Sequence, residues 1–549
     1  MNTSNYIPIT VGIVGHLDVI FTENHKKVIA NIFKELSNSY PNSPIALFSQ
    51  LAKGADIEVA KVFLECKEQT KRDLRLIVPL PYEKEEFIDG LTDSEKSEFE
   101  NILLQAERAF TLENIENFPK NELYRNAGKF VADSSLILIA LYENEDNNKK
   151  GGTADIVRYK IEGTFKDDVE EHIFDDKGSL IIIPCNRVSS DTKTIHLEND
   201  YLGNLLKDKS ISKALDKIDS SNKEAQKFSE IELETSANYL YPANKRLIKQ
   251  NQRLKWLYSI FDTIAKNQQA RYLNLIKALF LLGILILSVF EIYKHLGLNP
   301  IFFGGTLTLI GIAYFIYKQS HKVGSHTKYL EDRIIAEALR VQFFWNISDI
   351  KMAAANYILR IHKTEFNWVK HILLSIYGLT YNGINTRDES INDVKAHWIV
   401  NQKEFFESRL SKLEKNHRLF NLLSKIIFWI ALAVLVLIFI LEYKHFDHHI
   451  IHLLIVVDSV LFGLFALIKA YYEKRGFEQI RNQYTLMSTI YSACETKMNE
   501  IEQSDISKEQ KDKQLDKLLY LTGKEALIEN GNWYLIFKEK EPEVEGIGG

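Results

Sequence analysis

Four apolar stretches in the second half of the chain, residues 273–293, 300–317, 422–443 and 450–471, restrict the fold more than any other feature. At ~1.5 Å rise per helical residue, each is close to the length that crosses a ~30 Å hydrocarbon core. They fall into two pairs with a very short loop inside each, so two helical hairpins in a bilayer are expected. A stretch of roughly 200 residues precedes them, the size of one ordinary domain.

The chain of 549 residues is 46% hydrophobic and 26% charged, averages that conceal how far the apolar residues are gathered into four segments. A formal net charge of -5 gives no sign of bulk binding to a nucleic-acid polymer. The three cysteines, Cys66, Cys185 and Cys494, have no metal-ligand spacing and are too few for a disulfide scaffold, which fits a reducing cytoplasm. The opening run MNTSNYIPITVGIVGH lacks a basic segment followed by a long apolar one, so no secretory signal is expected there.

Flanking charge sets the expected orientation. Arg253, Lys255, Lys266 and Arg271 precede the first hairpin and Lys318, Lys322, Lys328 and Arg333 follow it. Arg409, Lys412, Lys415 and Arg418 precede the second, and Lys474, Arg475 and Arg481 follow. The loops KHLGLN and KHFDHH hold one lysine each. By the positive-inside rule both termini and the middle region are cytoplasmic, in a multi-pass protein of the inner membrane.

Strand and helix signals alternate over residues 7–190. Apolar runs at 7–14, 45–48, 74–79, 136–141 and 180–184 read as strands, with helical patterns at 23–36, 55–64 and 155–160 between them. The expected fold class is therefore an α/β Rossmann-like domain with a parallel sheet, followed by an α-helical membrane region. Ligands of such sheets bind beyond the carboxyl ends of the strands.

Three loops lie at such ends. Gly12-Ile-Val-Gly15-His16 suits a tight turn or a close backbone approach to phosphate. Ser49-Gln-Leu-Ala-Lys53-Gly54-Ala-Asp56 fits an anion at a helix start, or a plain turn in which Asp56 caps the helix. Lys149-Lys150-Gly151-Gly152-Thr153-Ala-Asp155 offers two glycines and a threonine at a helix start beside two lysines, the best phosphate cradle of the three.

The runs LAKGADIEVAKVFL, LRLIVPLPYEKEEF, YRNAGKFVADSSLILIALYEN and GGTADIV together resemble the SLOG superfamily, related to the LOG nucleotide-processing proteins and to DprA-like Rossmann domains. The resemblance implies a domain that binds a nucleotide-derived signal. Carried over by position, the ligand contacts are Gly15, His16, Ser49, Lys53, Gly54, Asp56, Gly151, Gly152 and Thr153. Tyr124 and Asp133 also match family positions. The catalytic LOG pattern resembles P-G-G-x-G-T-x-x-E, whereas Thr153 here is followed by Ala154, Asp155, Ile156 and Val157. The glutamate is missing, so the resemblance implies a binding domain with no catalytic residue, no metal and no resident cofactor.

In the membrane half, Gly283, Gly304, Gly305 and Gly311 permit close helix packing within or between protomers. Asp458 lies inside an apolar run, where a carboxylate costs about 2.5–3.5 kcal/mol to insert, so it faces water or finds a partner. His445, His448, His449 and His452 gather at the second outer loop and read as a solvated interface. Between the hairpins, residues 330–345 and 353–377 carry apolar helical stripes, Asn382-Gly383 and Asp388–Ser390 mark a break, and a further helix spans 391–413.

The segment YLEDRIIAEALRVQFFW is similar to SLATT-type membrane modules, inferred to be effectors of prokaryotic conflict systems activated by nucleotide messengers. The expected organisation is a nucleotide-binding domain at 1–195, a helical linker at 196–272, hairpins at 273–320 and 418–472, cytoplasmic helices at 321–417 and C-terminal helices with a tail at 473–549. The resemblances together imply a homo-oligomeric, second-messenger-gated membrane effector of antiphage immunity that forms a pore or disrupts the bilayer. The alternative is a membrane-tethered nucleotide N-glycosidase that uses Asp56, Asp133 or Asp155.

Overall fold

A computed structural model of the chain describes residues 6–112, 118–143, 149–165, 179–191, 193–198, 200–296, 300–358, 363–383 and 391–538. The break signal at Asp388–Ser390 lies outside them. The chain divides into two compact units: Met1–Thr263 with Ile335–Val394 and Leu519–Ile528, and Ile264–Ile334 with Lys395–Leu518 and Glu529–Gly549.

The first unit is built on six strands: β1 (Ile9–Gly15), β2 (Ile45–Phe48), β3 (Leu74–Leu80), β4 (Arg108–Thr111), β5 (Ile137–Tyr142) and β6 (Ser179–Pro184). All neighbours are parallel, in the order β4-β3-β2-β1-β5-β6. The register sets Ile9 opposite Ile45 and Val11 opposite Ile137. Helices cover a parallel sheet on both faces, which is why ITVGIVG, LRLIVPL and ILIALY are almost continuously apolar and buried. The chain winds outward from β1 to β4, then returns to β1's other side at β5. The carboxyl ends of β1 and β5 thus form the switch point at which open α/β sheets bind ligands.

The helices between strands are α1 (Glu23–Ser39), α2 (Ala55–Thr70), α3 (Lys84–Asp89), α4 (Asp93–Leu103), α5 (Lys120–Ser134) and α6 (Thr153–Glu162). Capping boxes start α1 at Thr22 and α4 at Thr92. Beyond β6 come α7 (Tyr201–Leu205), α8 (Lys209–Ala225) and α9 (Glu230–Leu240). The buried Asn222 of α8 accepts the Ile7 N–H at 2.9 Å and donates to the Ile7 carbonyl at 2.8 Å, which ties α8 to the approach of β1.

Four long helices follow: α10 (Lys249–Leu296), α11 (Ile301–Val323), α12 (Ser325–Ile347) and α13 (Lys363–Thr380). The end of α13 belongs to the core of the sheet domain. Leu379 packs in one cluster with Phe48 and Val131, and a Cβ on Gly378 would stand 2.2 Å from the Ser134 hydroxyl of α5. Arg108 donates from Nη1 to the Leu379 carbonyl at 3.4 Å and from Nη2 to that of Tyr381.

The remaining helices are α14 (Ile391–Val394), a π-helical turn at Lys395–Val400, α15 (Asn401–Tyr443), α16 (His448–Lys474), α17 (Phe477–Gln503) and α18 (Lys508–Lys538). Four helices, those holding the apolar runs of α10, α11, α15 and α16, are long and apolar enough to cross a membrane. Large apolar side chains such as Phe315, Trp429 and Phe439 stand exposed on them, a surface compatible with lipid.

Within the second unit, α15 packs on α16 through Phe428 and Phe465, 5.5 Å apart, and α10 on α16 through Phe280 and Tyr471, 4.8 Å apart. A Cβ on Gly463 would meet the Leu287 side chain at 1.9 Å, whereas Gly304, Gly305 and Gly311 of α11 have nothing within 4 Å. Asp458 is buried, and its Oδ1 has no hydrogen-bond partner among the described residues. His452 lies against His295, with ring centroids 6.1 Å apart, and His295 Nε2 is 3.4 Å from Glu291 Oε2.

Candidate functional site

At the switch point the first unit holds a cleft of about 360 Å³. That lies within the ~300–1,000 Å³ typical of small-molecule sites. Its walls come from the β1 end (Gly15, His16, Asp18), the β2–α2 loop (Gln50, Ala52, Asp56), α5 (Asn121, Tyr124, Gly128), the loop into α6 (Lys149 to Ala154) and Arg187 beyond β6.

The glycines have local reasons. A Cβ on Gly15 would approach that of Ala55 to 2.3 Å, so β1 can lie against the start of α2 only with glycine there. Gly151 has φ +74°, and a Cβ on it would strike the Asn121 carbonyl at 2.2 Å. The Asp155 carboxylate accepts the Gly151 N–H at 2.9 Å and pairs with Arg125 Nε at 3.0 Å. This buried pair fixes the loop that opens α6.

Two helix starts face the cleft without a side-chain cap, α2 behind Gly54 and α6 behind Gly152. At α2 the first N–H, that of Ala55, already donates to the His16 carbonyl at 3.2 Å, so it is the start of α6 that turns the positive end of a helix dipole to the cleft and suits an anion. The basic side chains contribute less than their number suggests, because Arg187 pairs with Asp18 at 2.9 Å and Lys150 with Glu122. Arg187 and Ser189 hydrogen bonds outweigh burial at Asp18 and hold its carboxyl down to about 2.

His16 accepts the Glu143 N–H on Nε2 at 3.2 Å, which leaves its proton on Nδ1. Burial, then the charge of Arg187, keeps its pKa below the ordinary histidine value. Burial pushes the Asp56 carboxyl up to about 7, against the backbone N–H groups of Gln50 and Ala52 that it accepts. Tyr124 shares a hydrogen bond of 3.0 Å with Tyr82, and burial first, then that bond, raises its hydroxyl well above the usual value.

Of the residues expected from sequence, Gly15, His16, Asp56, Gly151, Gly152 and Thr153 line the cleft, as does Tyr124. Ser49, Lys53 and Gly54 stand behind it. The Ser49 hydroxyl accepts the Leu51 N–H at 3.1 Å and donates to the Asp56 carbonyl at 3.3 Å. Lys53 pairs with Glu95 at 2.7 Å. Gly54, at φ +87°, lets the chain pass the Leu17 carbonyl, which a Cβ would approach to 2.4 Å. Among the three candidate catalytic carboxylates only Asp56 reaches the cleft. Asp155 holds the loop, and Asp133 accepts the Tyr159 hydroxyl at 2.8 Å. Sequence reasoning passed over Asp18, Asn121 and Arg187. Arg187 follows the carboxyl end of β6 by three residues, the signal that could have found it.

No protein-family model matches the chain, and no curated protein matches it. The class that the fold itself defines is an α/β domain with a ligand-sized cleft at its switch point, joined to four helices able to span a membrane.

Proposed function

We propose that the chain is a membrane effector switched by a nucleotide-derived anion in the β1/β5 cleft. The observation that carries this reading is the uncapped start of α6, behind two glycines, opening onto a ligand-sized cleft at the sheet's switch point. The ligand's phosphates meet the N–H groups at Thr153 and Ala154, and its remaining bulk lies along Tyr124 and His16. The positive-inside pattern supports cytoplasmic termini and outward-facing hairpin loops. Four spanning helices per chain are few for a pore, so the effector acts as a homo-oligomer, and its resemblance to SLOG and SLATT modules supports a role in antiphage immunity.

The test uses the full chain in dye-loaded liposomes, with candidate nucleotides first screened by thermal shift. Ligand should release dye from the parent protein. Gly152→Glu, which puts a carboxylate where the phosphates go, should abolish both the thermal shift and the release. If this variant leaks dye with ligand as readily as the parent, the cleft does not control the membrane helices.

One observation favours a second reading. Asp56 lies in the cleft with its carboxyl near pKa 7, suited to proton transfer in cleavage of a nucleotide's glycosidic bond. Release of free base from nucleotides by the purified protein, lost in Asp56→Asn, would favour that enzyme.

A further inference from the structure

The first unit has a second large cavity, at the opposite end of the sheet from the cleft. It occupies about 690 Å³ at the amino ends of β3 and β4, beneath the first turns of α10. We propose that it binds a nucleoside polyphosphate, at a site independent of the β1/β5 cleft.

Charge is the first reason. Three arginines, Arg75, Arg108 and Arg253, line the cavity with Lys67 and Lys249, against only two carboxylates, Asp73 and Glu107. Those acids are already engaged. Asp73 takes both Nε, at 2.9 Å, and Nη2 of Arg75, and Glu107 takes Nη1 of Arg253 at 2.8 Å. Among the described residues Arg108 donates to neutral carbonyls, those of Leu379 and Tyr381, and Glu107 is the nearby acid that acts on its charge. Burial first, then the neighbouring charge of Arg253, lowers Arg108 to about 10 against the opposing charge of Glu107.

The second reason is an unmet donor pair. Nε and Nη2 of Arg253 are buried and have no hydrogen-bond partner among the described residues. A desolvated donor without an acceptor costs about 1–3 kcal/mol, and more when it is charged. Arg253 lines the cavity, and a turn of its side chain would bring this guanidinium edge, with its two unpaired N–H groups, to two oxygens of a phosphate.

The third reason is Trp256, three residues after Arg253 on α10 and therefore on the same helix face, which also lines the cavity. An indole next to a phosphate-binding arginine provides a stacking surface for a base. An excess of three positive charges fits a di- or triphosphate better than a single phosphate. The site lies on α10, which continues without a break to Leu296 and carries the first apolar span.

The experiment is titration calorimetry on the full chain in detergent micelles, in the Gly152→Glu background that closes the other cleft, with inorganic tripolyphosphate and ATP as probes. Tripolyphosphate should bind at one equivalent. Adding Lys67→Gln and Lys249→Gln, both exposed positions, should weaken it about tenfold with an unchanged melting temperature. ATP should bind more tightly than tripolyphosphate, and Trp256→Leu should remove that difference. The proposal is overturned if the Gly152→Glu protein binds no tripolyphosphate, if the lysine pair changes nothing, or if ATP and tripolyphosphate bind equally before Trp256 is replaced.

Discussion

Asp56 makes the sharpest test of the cleft. Its carboxyl stands at about 7 in the folded protein, against 3.8 for an ordinary aspartate, because burial penalises the anion. Between about pH 4 and pH 7 the native state therefore keeps a proton that the unfolded chain has released. The stability this supplies is fully present below about pH 4, declines as pH rises and is gone by about pH 7. A shift of about three units corresponds to about 4 kcal/mol. Asp56→Asn cannot titrate, so the stability of the variant relative to the parent should rise by about 4 kcal/mol between pH 4 and pH 8. The first unit holds roughly 330 residues, so at ~2.1 cal/mol/K of unfolding entropy per residue that is roughly 6 °C of melting temperature. Parallel thermal scans of the two full-length proteins cancel every other titrating group in the difference. A bound anion would raise the carboxyl further, so anion affinity in the parent should fall by up to about tenfold per pH unit above 7 and stay flat in the variant. A difference in melting temperature that is constant across the pH range would refute this account of Asp56.

Asp155→Ala removes the partner of the buried Arg125 and the acceptor for Gly151 N–H, so it should cost about 3–5 kcal/mol in denaturant unfolding and weaken ligand binding with it. Gly378→Ala forces a methyl onto Ser134 and should lower stability by about 1–3 kcal/mol, readable as a fall in the denaturation midpoint. At the exposed Ala270 of α10, just before the first apolar span, Ala270→Pro removes one helical hydrogen bond at a local cost of about 3 kcal/mol. Ligand-triggered dye release should drop while ligand binding, followed by thermal shift, is retained.

The strands were legible because a parallel sheet buried on both faces demands unbroken apolar runs. Residues 45–48 coincide with β2, and the other four expected strands lie within two residues of the observed ends. The strand Arg108–Thr111 was not legible. It has four residues at the sheet edge, three half-buried and one exposed, and RAFT has no apolar run to announce it. In α5, Leu123, Ala127 and Val131 recur every four residues, yet two of the three are small and the stripe is faint. The cleft was half legible for a similar reason. Glycines at the carboxyl ends of strands mark loops, but the sequence does not say whether a glycine clears room for a ligand or for a neighbouring backbone. At Gly54 it is the backbone of Leu17. Arg187 is remote in sequence from the other loops, and only the β6 crossover brings it to them.

The same limit governs α8 and α13, whose apolar faces could be read although the surface they cover could not. Asn222 and Gly378 show that both complete the sheet domain, so this domain uses chain from both sides of the first hairpin. That bears on how a ligand could act. The chain leaves the first unit after Thr263 inside α10, after Val394 where α14 runs into the π-helical turn, and after Ile528 inside α18, each time in helix. To move an effector from about 1% to about 99% active, a ligand must favour the active state by ~5.5 kcal/mol. A ligand with micromolar affinity has ~8 kcal/mol in all. Two thirds of its binding free energy must then be withheld from the resting form. The contacts that matter for switching are therefore those made in only one state. The loop fixed by Arg125 and Asp155 is the first place to seek them, since Asp155 holds both that buried pair and the Gly151 N–H at the start of α6.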